Sequence, residues 1–156
     1  MAIFLSNGVV VTLNSVDLSD HVTSATINRV FEELGVHNIF FSKDYRAEFE
    51  AIFKQENLFD DPTVYVHISS KVATQDAPAG CENWFILINA PANSGQDWDS
   101  LIKACRTNVI QKINRVLGIN LEDHIVVEDY LDPRRIESRT SSAGGALYGN
   151  SSNNKF

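Results

Sequence analysis

Two apolar stretches separated by a polar loop dominate the hydropathy pattern of the chain. Thr63-Val64-Tyr65-Val66-His67-Ile68 is rich in β-branched and aromatic residues, the composition of a strand. Trp84-Phe85-Ile86-Leu87-Ile88 is almost continuously apolar, which predicts a strand buried on both faces. Lys71 to Asn83 lies between them, with Pro78 and Gly80 marking the turn. The pattern predicts two adjacent antiparallel strands in the middle of a sheet.

Upstream, Asn7-Gly8 separates Ile3-Phe4-Leu5 from Val9 to Leu13, a hairpin signal. Val9, Val11 and Leu13 share one face, with Val10 and Thr12 on the other. Asn14 to Asp20 is turn-rich, and Val22 to Val30 alternates again, with Ala25, Ile27 and Arg29 opposite Ser24, Thr26 and Asn28. Ser42 is placed to cap a helix from Lys43 to Phe53, where Tyr45, Phe49, Ile52 and Phe53 form one apolar stripe. Asp97 is placed to cap a long helix from Trp98 to Leu117. Its apolar positions are Trp98, Leu101, Ile102, Cys105, Val109, Ile113, Val116 and Leu117, and Gly118 is its stop. His124 to Tyr130 holds a short strand, Ile125-Val126-Val127, and Asp132-Pro133 opens a last short helix. Residues 140–156 are rich in Ser, Gly and Asn and are expected to be mobile. The fold class is α+β, with helices on one face of a mostly antiparallel sheet.

A chain of 156 residues is long enough for one ordinary core. Its net charge of −7 argues against nucleic acid as a partner. No apolar run reaches transmembrane length, and the apolar start lacks the basic residues of a signal peptide. Cys81 and Cys105 form no CxxC pair, so reduced thiols of a cytoplasmic protein are expected, a disulfide being the alternative. His21, His37, His67 and His124 are dispersed without HxxxH spacing, and no metal site is expected.

Several uncommon strings then occur in order: HNIFFSKDYRAEFEAIF, PTVYVHISSK, GCENWF, GQDWD, HIVVEDYLDP and SRTSSAGGALYG. On these, residues 37–156 resemble the bacterial phytoene desaturase family of FAD-dependent carotenoid desaturases and isomerases. Residues 1–35 do not share those strings, and MAIFLSNGVVVTLNSVDLSDHVTSATINRVFEEL resembles the N-termini of some phage tail proteins. Gly35-Val36 therefore reads as a seam, explained by a fusion, a gene remnant or an assembly error. The expected organisation is a β-rich N-terminal segment of different origin (1–35) followed by part of a carotenoid desaturase substrate domain (36–156). Both FAD-binding segments would be lacking.

The resemblance implies FAD as cofactor, a carotenoid or polyene substrate, and a cytoplasmic, peripheral place at a membrane surface. A dinucleotide site needs a glycine-rich turn between strand and helix. No GxGxxG occurs, and Gly144-Gly145 with Gly149 is spaced GGxxxG. The chain alone is therefore expected to bind no FAD and to be inactive. Arg46 matches an arginine that the family is proposed to use near the substrate, where a cation steers developing charge. The alternative is a surface arginine paired with Glu50, one turn away. His37 opens the HN string and could take a proton near a flavin; the alternative is an exposed or satisfied histidine. Gly144 and Gly145 are the cofactor-binding candidates, where backbone could approach a flavin or polyene, against a flexible loop. Cys81 has no base placed near it by sequence, and a structural cysteine is the alternative reading. Apolar strands and helices could line a carotenoid tunnel or form an ordinary core. Two rival functions are a phage tail component and a non-catalytic module that binds an apolar ligand. Uncovered sheet edges are expected to promote self-association.

Overall fold

The computed structural model describes residues 8–12 and 25–146, with side chains from Thr26 onward. Six strands form one sheet: β1 (Gly8–Thr12), β2 (Ala25–Ile27), β3 (His37–Phe40), β4 (Val64–His67), β5 (Glu82–Asn89) and β6 (Ile125–Val127). Every pairing is antiparallel, and the order is β3-β4-β5-β2-β6, with β1 also bonded to β5. Three helices complete the fold: α1 (Tyr45–Lys54), α2 (Trp98–Leu117) and α3 (Pro133–Thr140). The α+β expectation holds, and the two central strands pair with Tyr65 opposite Leu87 and His67 opposite Phe85.

On the inner face Val64, Val66, Trp84, Ile86 and Ile88 are buried against Trp98, Ile102, Cys105, Val109 and Ile113 of α2. Each such side chain contributes roughly 1.5–3 kcal/mol by leaving water. Burial of β5 on both faces is corrected. Phe85 and Leu87 are only half-buried, because α2 covers one side of the sheet and the other stays partly open.

Asp97 caps α2 through Ser100 N, and Gly118 ends it in the left-handed conformation at φ 66°. Val116, expected on its apolar face, is 55% exposed. Asp132 caps α3 through the amides of Arg134 and Arg135. Two expectations for α1 fail. Its cap is Asp44, whose Oδ1 accepts from Ala47 N, while Ser42 Oγ accepts from Asp44 N instead. Its buried positions are Glu48, Ala51 and Ile52, whereas Tyr45 and Phe53 are exposed. Buried Glu48 explains the rotation: its carboxylate accepts from Thr63 N and Thr63 Oγ1 at 2.8 and 2.7 Å, tying α1 to the start of β4.

Residues on both sides of Gly35-Val36 share the same core. Ile27 and Phe31 are fully buried within it, and Ile68 N donates to Val36 O. Glu82 locks this join. Its carboxylate accepts from Phe31 N, from Trp84 Nε1 and from Lys71 Nζ at 2.6 Å, and Lys71 also donates to Phe31 O. Lys112, buried on α2, donates to the carbonyl of Phe41 and pairs with Asp61. The Asn7-Gly8 hairpin turn lies outside the described residues, except that Gly8 itself opens β1. Residues 140–146, expected to be mobile, are instead held, with Gly145 and Ala146 buried; 147–156 lie outside the described residues.

Candidate functional site

The partly open face of the sheet carries two cross-strand rows. Strand alternation puts Ile39, Tyr65 and Leu87 in one row and His37, His67 and Phe85 in the next. Ile39 is 53% exposed and Tyr65, His67, Phe85 and Leu87 are half-buried, so an apolar surface lies here with three polar side chains at one part of it.

Those three are in contact. His37 and His67 are direct register partners, with ring centroids 5.0 Å apart and planes inclined by 27°. Tyr65 Oη lies 2.7 Å from His37 Nδ1, and the two rings stack at 6.0 Å. Partial burial holds the His67 imidazole below its ordinary pKa of 6.5. The neighbouring His37 pushes it the same way, against the opposing pull of the Asp76 carboxylate. The histidines are therefore not all dispersed, because the sheet joins two that stand far apart in sequence. His124 is elsewhere, bonded to Asn28. Among the described residues no group of three or more His, Cys, Asp or Glu side chains could hold a metal ion.

A second apolar surface runs along α1. Tyr45, Phe49 and Phe53 form a ladder with ring centroids 4.5 and 5.6 Å apart, and Phe41, in the segment that leads into α1, is 68% exposed. Arg46 shares this helix. Its side chain is 89% exposed and its Nε lies 3.5 Å from Glu50 Oε1.

No protein-family model matches the chain. Curated relatives do. It is 53% identical over 130 residues to the 1-hydroxycarotenoid 3,4-desaturase of a Flavobacterium strain, covering 83% of this chain and 27% of the relative. It is 37% identical to the 4,4'-diapolycopene oxygenase of a Methylomonas species, covering 79% and 25%, and 30% identical to the phytoene desaturase of Neurospora crassa, covering 80% and 22%. Over about four-fifths of its length the chain is thus similar to carotenoid desaturases and oxygenases. It spans about a quarter of the length of these relatives. The 130 matched residues of the Flavobacterium desaturase exceed the 120 from His37 to Phe156, so that likeness begins upstream of the seam. This accords with the shared core on either side of Gly35-Val36.

The likeness to desaturases implies a flavin, whose pyrophosphate needs backbone amides free to receive it. Gly144 N donates to the Glu137 carboxylate, Gly145 N donates to Ser142 O, and Gly144 O accepts from Asn93 N. Amides already engaged, one of them by a carboxylate, do not fit a pyrophosphate cradle. Gly145 has a packing reason to be glycine: at φ +73°, a Cβ there would lie 2.3 Å from Pro133 O. Cys81 is half-buried and Cys105 buried, both free thiols; burial pushes the Cys105 thiol up to about 12.

Of the residues singled out by sequence, His37 alone stands on the two-row face. Arg46 stands on α1, and Gly144 and Gly145 pack near α3. Tyr65 and His67 were missed as site residues. Their signal was the register of β3 on β4, which required reading His37-Asn38-Ile39-Phe40 as a strand.

Proposed function

We propose that this chain supplies the substrate-facing sheet of a carotenoid desaturase or oxygenase, with the outer face of β3, β4 and β5 as the wall along which a polyene lies. The observation that carries this is the pair of cross-strand rows, half-open and apolar, with one convergent polar cluster. The relatives support it, being named for reactions on carotenoids or their phytoene precursor. A polyene offers almost only hydrocarbon, so its binding draws on apolar contact at roughly 25 cal/mol per Å² of surface removed from water. Desaturation takes a hydride and a proton from neighbouring carbons and leaves a double bond. The hydride acceptor, FAD by resemblance, would be held by parts of the protein outside this chain. The work of this chain is to bind, to orient and to exclude water, with His37 on the wall as a group able to accept a proton.

On this reading the protein works as a cytoplasmic, peripheral component of a membrane surface, where polyenes dissolve. No described helix is long and apolar enough to cross a membrane. The Tyr45–Phe49–Phe53 ladder, exposed at Tyr45 and Phe53 and flanked by Arg46 and Lys54, has the make-up of a helix face that rests in the headgroup layer.

The test is a chimera in which residues 37–146 replace the matching segment of the Flavobacterium desaturase. Retained desaturation by a folded, flavin-loaded chimera supports the proposal. A folded, flavin-loaded chimera that binds no carotenoid refutes it.

A further inference from the structure

We infer that β3 is an interaction edge for a second copy of this chain, pairing antiparallel with its own counterpart so that two sheets join into one across a two-fold axis. The order β3-β4-β5-β2-β6 leaves β3 bonded to β4 alone. Ile68 N donates to Val36 O at 2.9 Å, which makes Val36 and Ile68 a hydrogen-bonded pair that extends the β3–β4 ladder. Bonded and non-bonded pairs alternate along antiparallel strands. Asn38 and Phe40 therefore also bond β4, and the amides and carbonyls of His37 and Ile39 point away from it. Among the described residues none of these outward groups has a hydrogen-bond partner. The edge is open: His37 is exposed, and Ile39 and Phe41 are 53% and 68% exposed.

A copy of the same strand is the partner these groups fit. When His37 of one copy faces Ile39 of the other, with Asn38 at the axis, each outward amide donates to an outward carbonyl of the other copy. Every open group on both edges is then satisfied. Charge favours the same arrangement. Exposed Glu32 and Glu33 precede β3 and exposed Lys43 follows it, all three without an ion pair among the described residues. An antiparallel copy brings the acidic end of one strand to the lysine end of the other. His37 to Phe41 holds no Lys, Glu, Asp, Arg or Pro, the residues with which natural edges discourage pairing. The edge at β6 differs. Asp123 precedes that strand and Glu128 and Asp129 follow it, so a copy laid there would set acid against acid. Pairing at β3 also covers Ile39, whose apolar side chain a single copy leaves half in water. The contact is made by backbone at the edge and holds whatever ligand lies on the wall.

The test is sedimentation equilibrium of the full chain over a range of concentrations, with amide hydrogen exchange read residue by residue. The expected result is a monomer–dimer equilibrium in which the His37 and Ile39 amides gain protection as concentration rises. Those of Asn38 and Phe40, bonded to β4, should be protected throughout. Ile39→Pro removes a donor that the single copy does not use, and proline is tolerated on edge strands where the N–H faces outward. It should weaken the dimer at least about tenfold, the scale of two hydrogen bonds lost, with the far-UV circular dichroism unchanged. Ile39→Lys, a surface change that asks nothing of the backbone, should weaken it similarly by placing like charges near the axis. Val126→Lys on β6 should leave the dimer intact. A monomer at every concentration overturns the inference. So does a dimer that persists in folded Ile39→Lys, one that Val126→Lys dissolves, or one that forms without protecting His37 and Ile39.

Discussion

Glu82→Gln should destabilise the protein far more than a one-atom change suggests. Glu82 is 2% exposed and its two oxygens accept from three donors: Phe31 N at 3.1 Å, Lys71 Nζ at 2.6 Å and Trp84 Nε1 at 2.8 Å. Glutamine keeps the shape but offers one acceptor oxygen and an NH₂ group. Whichever way the amide is turned, its N–H atoms face either Trp84 or the Phe31 and Lys71 pair. The loss of a charge-assisted bond costs about 1.5–3 kcal/mol, and a buried donor left unsatisfied about 1–3 kcal/mol more. Together they remove about 3–5 kcal/mol, a large part of the 5–15 kcal/mol typical of a whole domain. Urea unfolding at pH 7, followed by tryptophan emission and far-UV circular dichroism, should show a lower midpoint with an unchanged slope. A cycle with Lys71→Met should reveal coupling of at least about 1 kcal/mol, since the two side chains share one network. A Glu82→Gln protein within about 0.5 kcal/mol of the parent would refute the claim that this network joins residues 25–34 to the sheet.

Three further outcomes are expected. Cys105, with its thiol pushed up to about 12 by burial, should resist maleimide or disulfide reagents at pH 8 in the native state while Cys81 reacts; equal labelling of both would contradict its place in the core. His67 titrates below 6.5 in the folded chain, so the unfolded chain binds the extra proton first. Its contribution to stability is therefore full above pH 6.5 and is lost as pH falls toward the folded pKa, and His67→Phe should flatten that part of the stability–pH curve. Gly145→Ala should cost at least about 2 kcal/mol, because it adds backbone strain to a contact with Pro133, whereas Gly80→Ala, open to solvent at φ +77°, should cost only about 1 kcal/mol; equal thermal shifts would contradict the close approach.

Much of this architecture could be read from residues that act locally. Asp97, Gly118 and the spacing of Trp98, Ile102, Cys105, Val109 and Ile113 mark α2 without help from the rest of the chain. Asp132 and Pro133 do the same for α3. What failed depended on partners remote in sequence. The stripe of Tyr45, Phe49 and Phe53 announces an apolar side of α1 but not what covers it. The buried side is set by Glu48, which reads as polar until Thr63 is seen to satisfy it. The continuous run Trp84 to Ile88 could not show that only one face has a helix over it. The site suffered most, since the spacing rules for clustered histidines look along a helix or within a loop. His37 and His67 meet through a strand register, and β3 is only four residues long.

The most direct test of the polyene wall is a methyl footprint of the chain with a carotenoid in micelles. The account predicts that the methyl resonances of Ile39 and Leu87 move on addition of ligand, while those of Val66, Ile86 and Ile88, on the opposite face beneath α2, stay in place. Movement of the inner set with Ile39 and Leu87 unchanged would contradict it and locate the ligand in the core instead.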